Sequence, residues 1–439
     1  MSWTICCMPC CTRTKVRAPM AELPSAACRR TPQGALQHRD YRLYLCSRIL
    51  GSFGTELQIT GVSWHVYQLT GQPFDLGLIG FAQFVPFLAF FLVAGAVADR
   101  FPRRRILGLC GLVHTLCALA FYSLTLASTV PFALIFSLLV CLGVARAFQS
   151  PAQQALVPLL VPSQHFASAV AWTTAGTQGA RIVGPALAGG LLLLGQATVY
   201  GVAIVCLALS TLLTWMMRTN TQIVTQERPS WATLLAGWHF IRSRQVLLGI
   251  MTLDFCAVLL GGATALLPLY AVDVLQVGAV GFGSLRAMHT VGALVCTLYL
   301  TQRPLTQHAG SLLFGTVLLF GVSVMVFGVS TSFWLSLGVL AIMGAADAVS
   351  VFIRGYVTQI IPPDHMRGRV SAVNAVCIGA SNELGAFESG LTAAWWGVVP
   401  AVVGGGLGAM VVTLLCLRLF PQLKALTTLD QDTLIRQYR

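Results

Sequence analysis

The sequence predicts an all-α membrane protein with twelve transmembrane helices arranged as two six-helix bundles. Three observations carry this expectation. Hydrophobic residues make up 56% of the 439 and charged residues only 9%, whereas a soluble domain needs roughly 25% charged residues to wet its surface. Apolar runs recur that are long enough to cross about 30 Å of hydrocarbon, which takes about 20 residues at 1.5 Å each. A single long polar stretch, at 218–245, divides these runs six and six.

The runs lie at about 43–68, 75–98, 105–127, 131–155, 165–194 and 197–217 in the first half, and at about 246–271, 280–301, 310–328, 332–357, 369–395 and 398–419 in the second. The expected organisation is an N-terminal extension over 1–37, a bundle over 38–217, a linker over 218–245, a bundle over 246–420 and a tail over 421–439. The extension lacks the long apolar core of a signal peptide and is expected to be disordered. Its Cys6-Cys7 and Cys10-Cys11 pairs have the softness for a metal, but no metal or other cofactor is assigned to the chain. Most of the other cysteines lie inside apolar runs and behave as small hydrophobes.

Topology follows from the loops. Arg100, Arg103, Arg104 and Arg105 follow the second run, Arg218, Arg228, Arg242 and Arg244 the sixth, and Arg367 and Arg369 the tenth. The intervening connections near 69–74, 128–130, 195–196, 272–279, 329–331 and 396–397 contain no lysine or arginine. That asymmetry places the basic side, with both termini, in the cytoplasm. The net charge of +13 is therefore spread over loops at a lipid surface and does not form a nucleic-acid-binding face. Residues from Ser230 to Arg244 read as an amphipathic helix on that inner surface, with Trp231, Leu234, Trp238 and Ile241 on its apolar face.

The loop after the second run reads Gly95-Ala-Val-Ala-Asp99-Arg100-Phe-Pro-Arg103-Arg104-Arg105. It resembles the signature loop of the major facilitator superfamily, with Pro102 in place of the usual glycine. The resemblance implies the major facilitator fold, with a pseudo-two-fold axis along the membrane normal. It also implies a gate in which Asp99, at one helix end, meets a neighbouring helix start or arginines such as Arg100 and Arg103. Trp64-His-Val-Tyr67, Arg146-Ala-Phe-Gln-Ser-Pro151-Ala, Ala180-Arg181-Ile-Val-Gly184-Pro185 and Ser381-Asn382-Glu383-Leu-Gly385 together resemble the enterobactin-exporter-like group. This group implies secondary active export of a small molecule from a bacterial inner membrane, with proton antiport and a monomeric carrier. Siderophores are the leading substrate class, and multidrug or antibiotic efflux is the alternative. Metal-ion export is disfavoured, because the histidine-rich tail of nickel exporters is lacking.

Ionisable residues inside apolar runs are costly and mark function or helix pairing. In the superfamily the first, fourth, seventh and tenth spans line the cavity, which directs attention to Glu56, Arg146, Asp254 and Asp347. Glu56, near the midplane, is a candidate proton or substrate site. Arg146 suits either an anionic group or a carboxylate of the gate. Asp254 is a further coupling candidate, and Glu383 on the eleventh span is the second proton candidate. Asp347 and Arg354, seven apart on one helix face, are assigned to the cytoplasmic gate. Gly184 and Pro185 belong to a run of small residues that resembles the glycine-proline motif of proton antiporters and also suits plain close packing. No phosphate-cradling glycine loop with its lysine occurs, and the charges do not gather at one leaflet as a membrane enzyme's would. The expected partners are therefore a small molecule, protons and the bilayer.

Overall fold

The computed structural model describes residues 34–127, 131–219, 231–302 and 308–426. The cysteine pairs at 6–11 and linker residues 220–230 lie outside the described residues, as does the tail beyond 426. Six helices form the first half: α1 (Arg39–Thr70), α2 (Pro73–Arg100), α3 (Arg103–Leu126), α4 (Phe132–Leu160), α5 (Phe166–Leu192) and α6 (Gln196–Met216). The linker contributes α7 (Trp231–Ser243). The next span is broken: α8 (Gln245–Leu260) passes through a 3-10 turn, α9 (Leu267–Leu269) and a π-turn at Tyr270–Val274. There follow α10 (Gly278–Gln302), α11 (Ala309–Val329), α12 (Phe333–Ile360), α13 (Asp364–Trp396) and α14 (Val398–Leu419), closed by the short α15 (Pro421–Lys424). No strand occurs among the described residues.

Nine of these elements are long and apolar enough to cross a membrane. The other long helices are α1, α5 and α13, and the reason is in their residues. Arg48 and Glu56 interrupt α1, Arg181 interrupts α5, and Glu383 and Glu388 interrupt α13. Such helices are stable at membrane depth only if their charges face protein or an aqueous cavity. The chain reverses sharply at the end remote from the arginine loops. Gly71, for example, caps α1 at φ 60, and its N–H reaches the Tyr67 carbonyl at 2.8 Å, a left-handed position that glycine occupies without a Cβ penalty.

One expectation about the chain ends is corrected. Gly34–Gln37, assigned to a disordered extension, form a 3-10 turn in which Ala35 is fully buried. Their apolar side chains find cover beneath α1 and α5. The first tail residues also pack: Leu423 and Leu426 are buried, and the Gly310 N–H donates to the Leu426 carbonyl at 2.8 Å. In the linker helix Ile241 is fully buried, while Trp238 remains 42% exposed. Gly237 lets α7 approach the Arg369 carbonyl, to which a Cβ would come within 2.7 Å.

The two halves meet mainly through α2 with α13 and α5 with α10. Both contacts rest on glycine. A Cβ on Gly390 would lie 2.7 Å from the Gly77 Cα, and one on Gly283 would lie 2.9 Å from the Gly189 Cα. One large apolar cluster draws on both halves at the end remote from the arginine loops, uniting Trp64, Leu76 and Tyr200 with Tyr270, Phe282 and Phe327. At the basic end the clusters separate. One contains only first-half residues such as Tyr41, Ile106 and Leu156. The other contains only residues of the linker helix, second half and tail, such as Leu247, Phe314 and Val357. The halves are thus joined at one end and parted at the basic end.

At the basic end Asp40 fastens α1 to the chain leaving α6. Its carboxylate accepts from the backbone N–H of Arg218 at 3.0 Å and of Thr219 at 2.7 Å, and from the Thr219 hydroxyl. Burial alone would push the Asp40 carboxyl up. The hydrogen bonds from Thr219 and Arg218, with Arg39 beside them, outweigh that and hold it below its ordinary value.

Candidate functional site

Five interior charges collect where the halves face each other. Glu56, eighteen residues into α1, stands between two arginines. Its Oε1 is 3.9 Å from Arg181 Nε of α5, and its Oε2 is 3.7 Å from Arg286 Nη2 of α10. Gly184 makes room for it, since a Cβ there would come 2.7 Å from the Glu56 Cβ. Pro185 offers its carbonyl to the close α5–α10 contact, where a Cβ on Gly283 would meet it at 2.4 Å. The small residues of α5 therefore serve both a cross-half contact and the seating of a carboxylate.

Arg146 of α4 reaches Glu383 of α13, with Nη1 at 2.5 Å from Oε1, and its guanidinium lies 5.9 Å from the Phe87 ring. The two bridges are reciprocal. In one the acid belongs to the first half and a base to the second; in the other the roles are exchanged. The Arg146 side chain is 49% exposed and the Glu383 side chain 18%, so this pair borders open space and is not sealed in a core. The family pattern places the eleventh span behind the cavity wall, but here it supplies a charge directly.

Asp254, Asp347 and Arg354 do not join these bridges. Arg354 is 5% exposed and pairs with Asp254 within the second half. Asp254 and Asp347 line one small cavity between α8, α11 and α12. Arg354, assigned to a gate with Asp347, is thus engaged within the second half, and Asp347 lines the cavity beside that pair. Asp99 ends α2, and its side chain lies outside the described residues. Arg100 is exposed. Arg103 is buried and donates to the Ala155 carbonyl at 3.0 Å, and Arg104 donates to the Met217 carbonyl. Both of these bonds lie within the first half.

Arg181 and Arg286 were visible in the sequence as charges in apolar runs, but nothing there assigned them to Glu56. Arg48 was visible in the same way. It lines a polar cavity with Gln149, Gln153 and Ser210, and its Nε has no hydrogen-bond partner among the described residues. At the joined end the Tyr67 hydroxyl donates to Asp273 at 2.8 Å, and Trp64 stacks on Phe282 with centroids 5.8 Å apart. Both contacts join the halves at that end.

The model of the transmembrane secretion effector family matches residues 31–437. The chain belongs to that family, within the major facilitator superfamily. It is similar to the enterobactin exporter EntS of Escherichia coli O1:K1 and of Shigella boydii serotype 18. Each is 24% identical over 401 residues, which cover 88% of this chain and 93% of the relative. Among solved structures, the nucleoside transporter NupG superposes with a TM-score of 0.68 at 12% identity, covering 87% of this chain and 100% of that one. A bacterial homologue of the human lysosomal transporter Spinster, inward-facing and occupied, gives 0.67 at 14% identity, with coverages of 89% and 96%. The fold is that of the superfamily, and the protein is a multi-pass membrane transporter and not an enzyme.

Proposed function

We propose that the protein exports a siderophore or similar metabolite across the bacterial inner membrane by proton antiport, with its basic face and both termini in the cytoplasm. In this reading residues 38–217 and 246–420 are the two rocking bodies and 218–245 the link between them, and a single chain suffices. The observation that carries the reading is the pair of reciprocal bridges, Glu56 with Arg181 and Arg286, and Arg146 with Glu383. Each bridge holds a titratable carboxylate at mid-depth and spans the surfaces that must part when access alternates. The similarity to the enterobactin exporters supports the direction and the class of cargo.

The sign of the linkage constrains how cargo binds. Antiport needs proton and cargo to exclude each other, and that exclusion is reciprocal. A cargo anion that took Arg146 would leave Glu383 unpaired, favour its protonation and so load together with the proton, which is symport. Cargo that donates to Glu56 or Glu383 through phenolic hydroxyls, amides or amines expels the proton instead. Antiport therefore selects donor-rich cargo. The parted basic face then corresponds to the inward-open state, and Asp99 belongs to the latch that forms when that face closes.

The test uses inverted membrane vesicles with an acidified lumen. A catecholate siderophore should accumulate in the lumen against its gradient and should release protons from it. Asp99→Asn should impair this while the protein remains inserted and folded. Accumulation that is indifferent to the pH gradient would remove protons from the account.

A further inference from the structure

The cavity between α8, α11 and α12 is not used by the bridges, and its lining has a definite chemistry. Asp254 and Asp347 contribute carboxylates and Thr316 and Ser350 hydroxyls, while Val317 and Phe320 supply apolar wall. It has room for about one water-sized particle. Ser350 is only 5% exposed, yet its hydroxyl has no hydrogen-bond partner among the described residues. Thr316, 8% exposed, donates its proton to the Leu313 carbonyl at 2.9 Å, which leaves its oxygen lone pairs for a ligand. Asp254 gives Oδ2 to Arg354, so its second oxygen is uncommitted by that pair. Asp347 has no ion pair among the described residues, although His289 of α10 acts on it electrostatically.

Oxygens that open on a small cavity without protein partners need water or an ion there, and carboxylates among them favour a cation. With His289 neutral, two carboxylates and one guanidinium leave a single net negative charge. That suits a monovalent ion, since calcium takes about six to eight oxygens and magnesium keeps several waters, for which this cavity has no room. The donors are hard oxygens, which excludes soft metals, and the strong field of carboxylates favours a small ion. We infer that Asp254, Asp347, Thr316 and Ser350 form a sodium site inside the second half. The ion sits between α8 and α12, beside the Asp254–Arg354 pair that joins them, so occupancy changes how these two cavity-lining helices hold together. The broken course of the span beyond α8 fits a coupling-ion site, because interrupted helices are where carriers place them. The inference rests on the reading of the chain as an ion-coupled carrier, and it moves part of the coupling away from Glu56.

Thermal unfolding of the purified full chain in lipid nanodiscs tests the site without requiring transport. Sodium chloride, titrated against choline chloride at constant ionic strength and pH, should raise the melting temperature in a saturable way. Lithium should act in part, and potassium and calcium little. Asp347→Asn and Ser350→Ala should each weaken the sodium response at least tenfold in half-saturating concentration, which is about 1.4 kcal/mol per tenfold. If a variant fails to fold, radioactive sodium binding to the unaltered protein, competed by excess unlabelled sodium, decides the matter. Equal melting in sodium and choline, with no bound label, overturns the site. A sodium response that survives Asp347→Asn overturns its location, and a response to calcium alone overturns the choice of a monovalent ion. Proton-driven export in vesicles is read separately, so loss of one finding leaves the other visible.

Discussion

The tenth residue of α1 is Arg48, and the tenth residue of α8 is Asp254. The fifteenth residue of α4 is Arg146, and the fifteenth of α12 is Asp347. Counted from their helix starts, the cavity-lining helices of the two halves thus carry opposite charges at matching places. The first half presents Arg48 in an amide- and hydroxyl-lined cavity, and Arg146 at the open interface. The second half encloses its acids, pairs one of them with Arg354 and leaves the other against a small void. One ground plan therefore carries opposite charges: Arg146 stands at the interface between the halves, whereas Arg48, Asp254 and Asp347 line cavities inside their own halves.

The comparison breaks most visibly at Asp254. Asp254→Asn leaves the Arg354 guanidinium buried without its partner, at a cost of about 3–5 kcal/mol. The yield of folded protein from membranes should collapse, as read by size-exclusion profile. The double substitution Asp254→Asn with Arg354→Met should recover most of it, because no charge is then stranded. A single mutant as stable as the parent would show that the pair does not hold the second half together.

A smaller effect is expected at the interface. Glu383→Gln frees Arg146 without burying it, since that side chain is half exposed, so stability should change little. Coupled export should fall by about tenfold or more, within the usual range of coupling energies. Exchanging the charges, with Arg146→Glu and Glu383→Arg together, should restore part of that loss. Failure of the exchange alongside a poor single mutant would mean that each residue serves cargo rather than its partner.

The smallest effect belongs to Asp40, outside the span. Its carboxyl is held below the ordinary value, so its contribution is complete above about pH 4 and fades as pH falls through the lowered value. Asp40→Asn should lower stability by on the order of 1 kcal/mol at neutral pH. The difference between mutant and parent should shrink on acidification, as followed by thermal unfolding at several pH values. A difference that is constant with pH would remove Asp40 as the fastening.

The spans and the sided arginine loops were legible because lipid imposes a length and a polarity that composition records directly. The interior charges were legible for the same reason, as breaches of that rule. Their pairing was not: Arg146 and Glu383 lie 237 residues apart, and no local pattern says which helices of two bundles will touch. Arg354 on α12 was read as a gate because its spacing from Asp347 fixes a shared face, but spacing does not say whether that face looks across the cavity or into its own bundle. The break after α8 was hidden as well. Its run stays apolar around the break, and Gly261, Gly262 and Pro268 alter the backbone while changing hydropathy little. The polar α1, α5 and α13 were the most informative helices, since their failure to be fully apolar is what brings their charges to the interface.

The central claim is that carboxylates at the interface carry the coupled proton, and Glu56→Gln tests it most directly. The substitution keeps size and most hydrogen bonding while removing the titrating group. In inverted vesicles with an acid lumen, the mutant should lose uphill accumulation of a catecholate siderophore. It should still exchange labelled for unlabelled siderophore at equal concentrations, because binding and rocking require no net proton movement. Loss of uphill accumulation in Glu383→Gln alone would move the proton site to α13. Full uphill accumulation in both mutants would contradict the account.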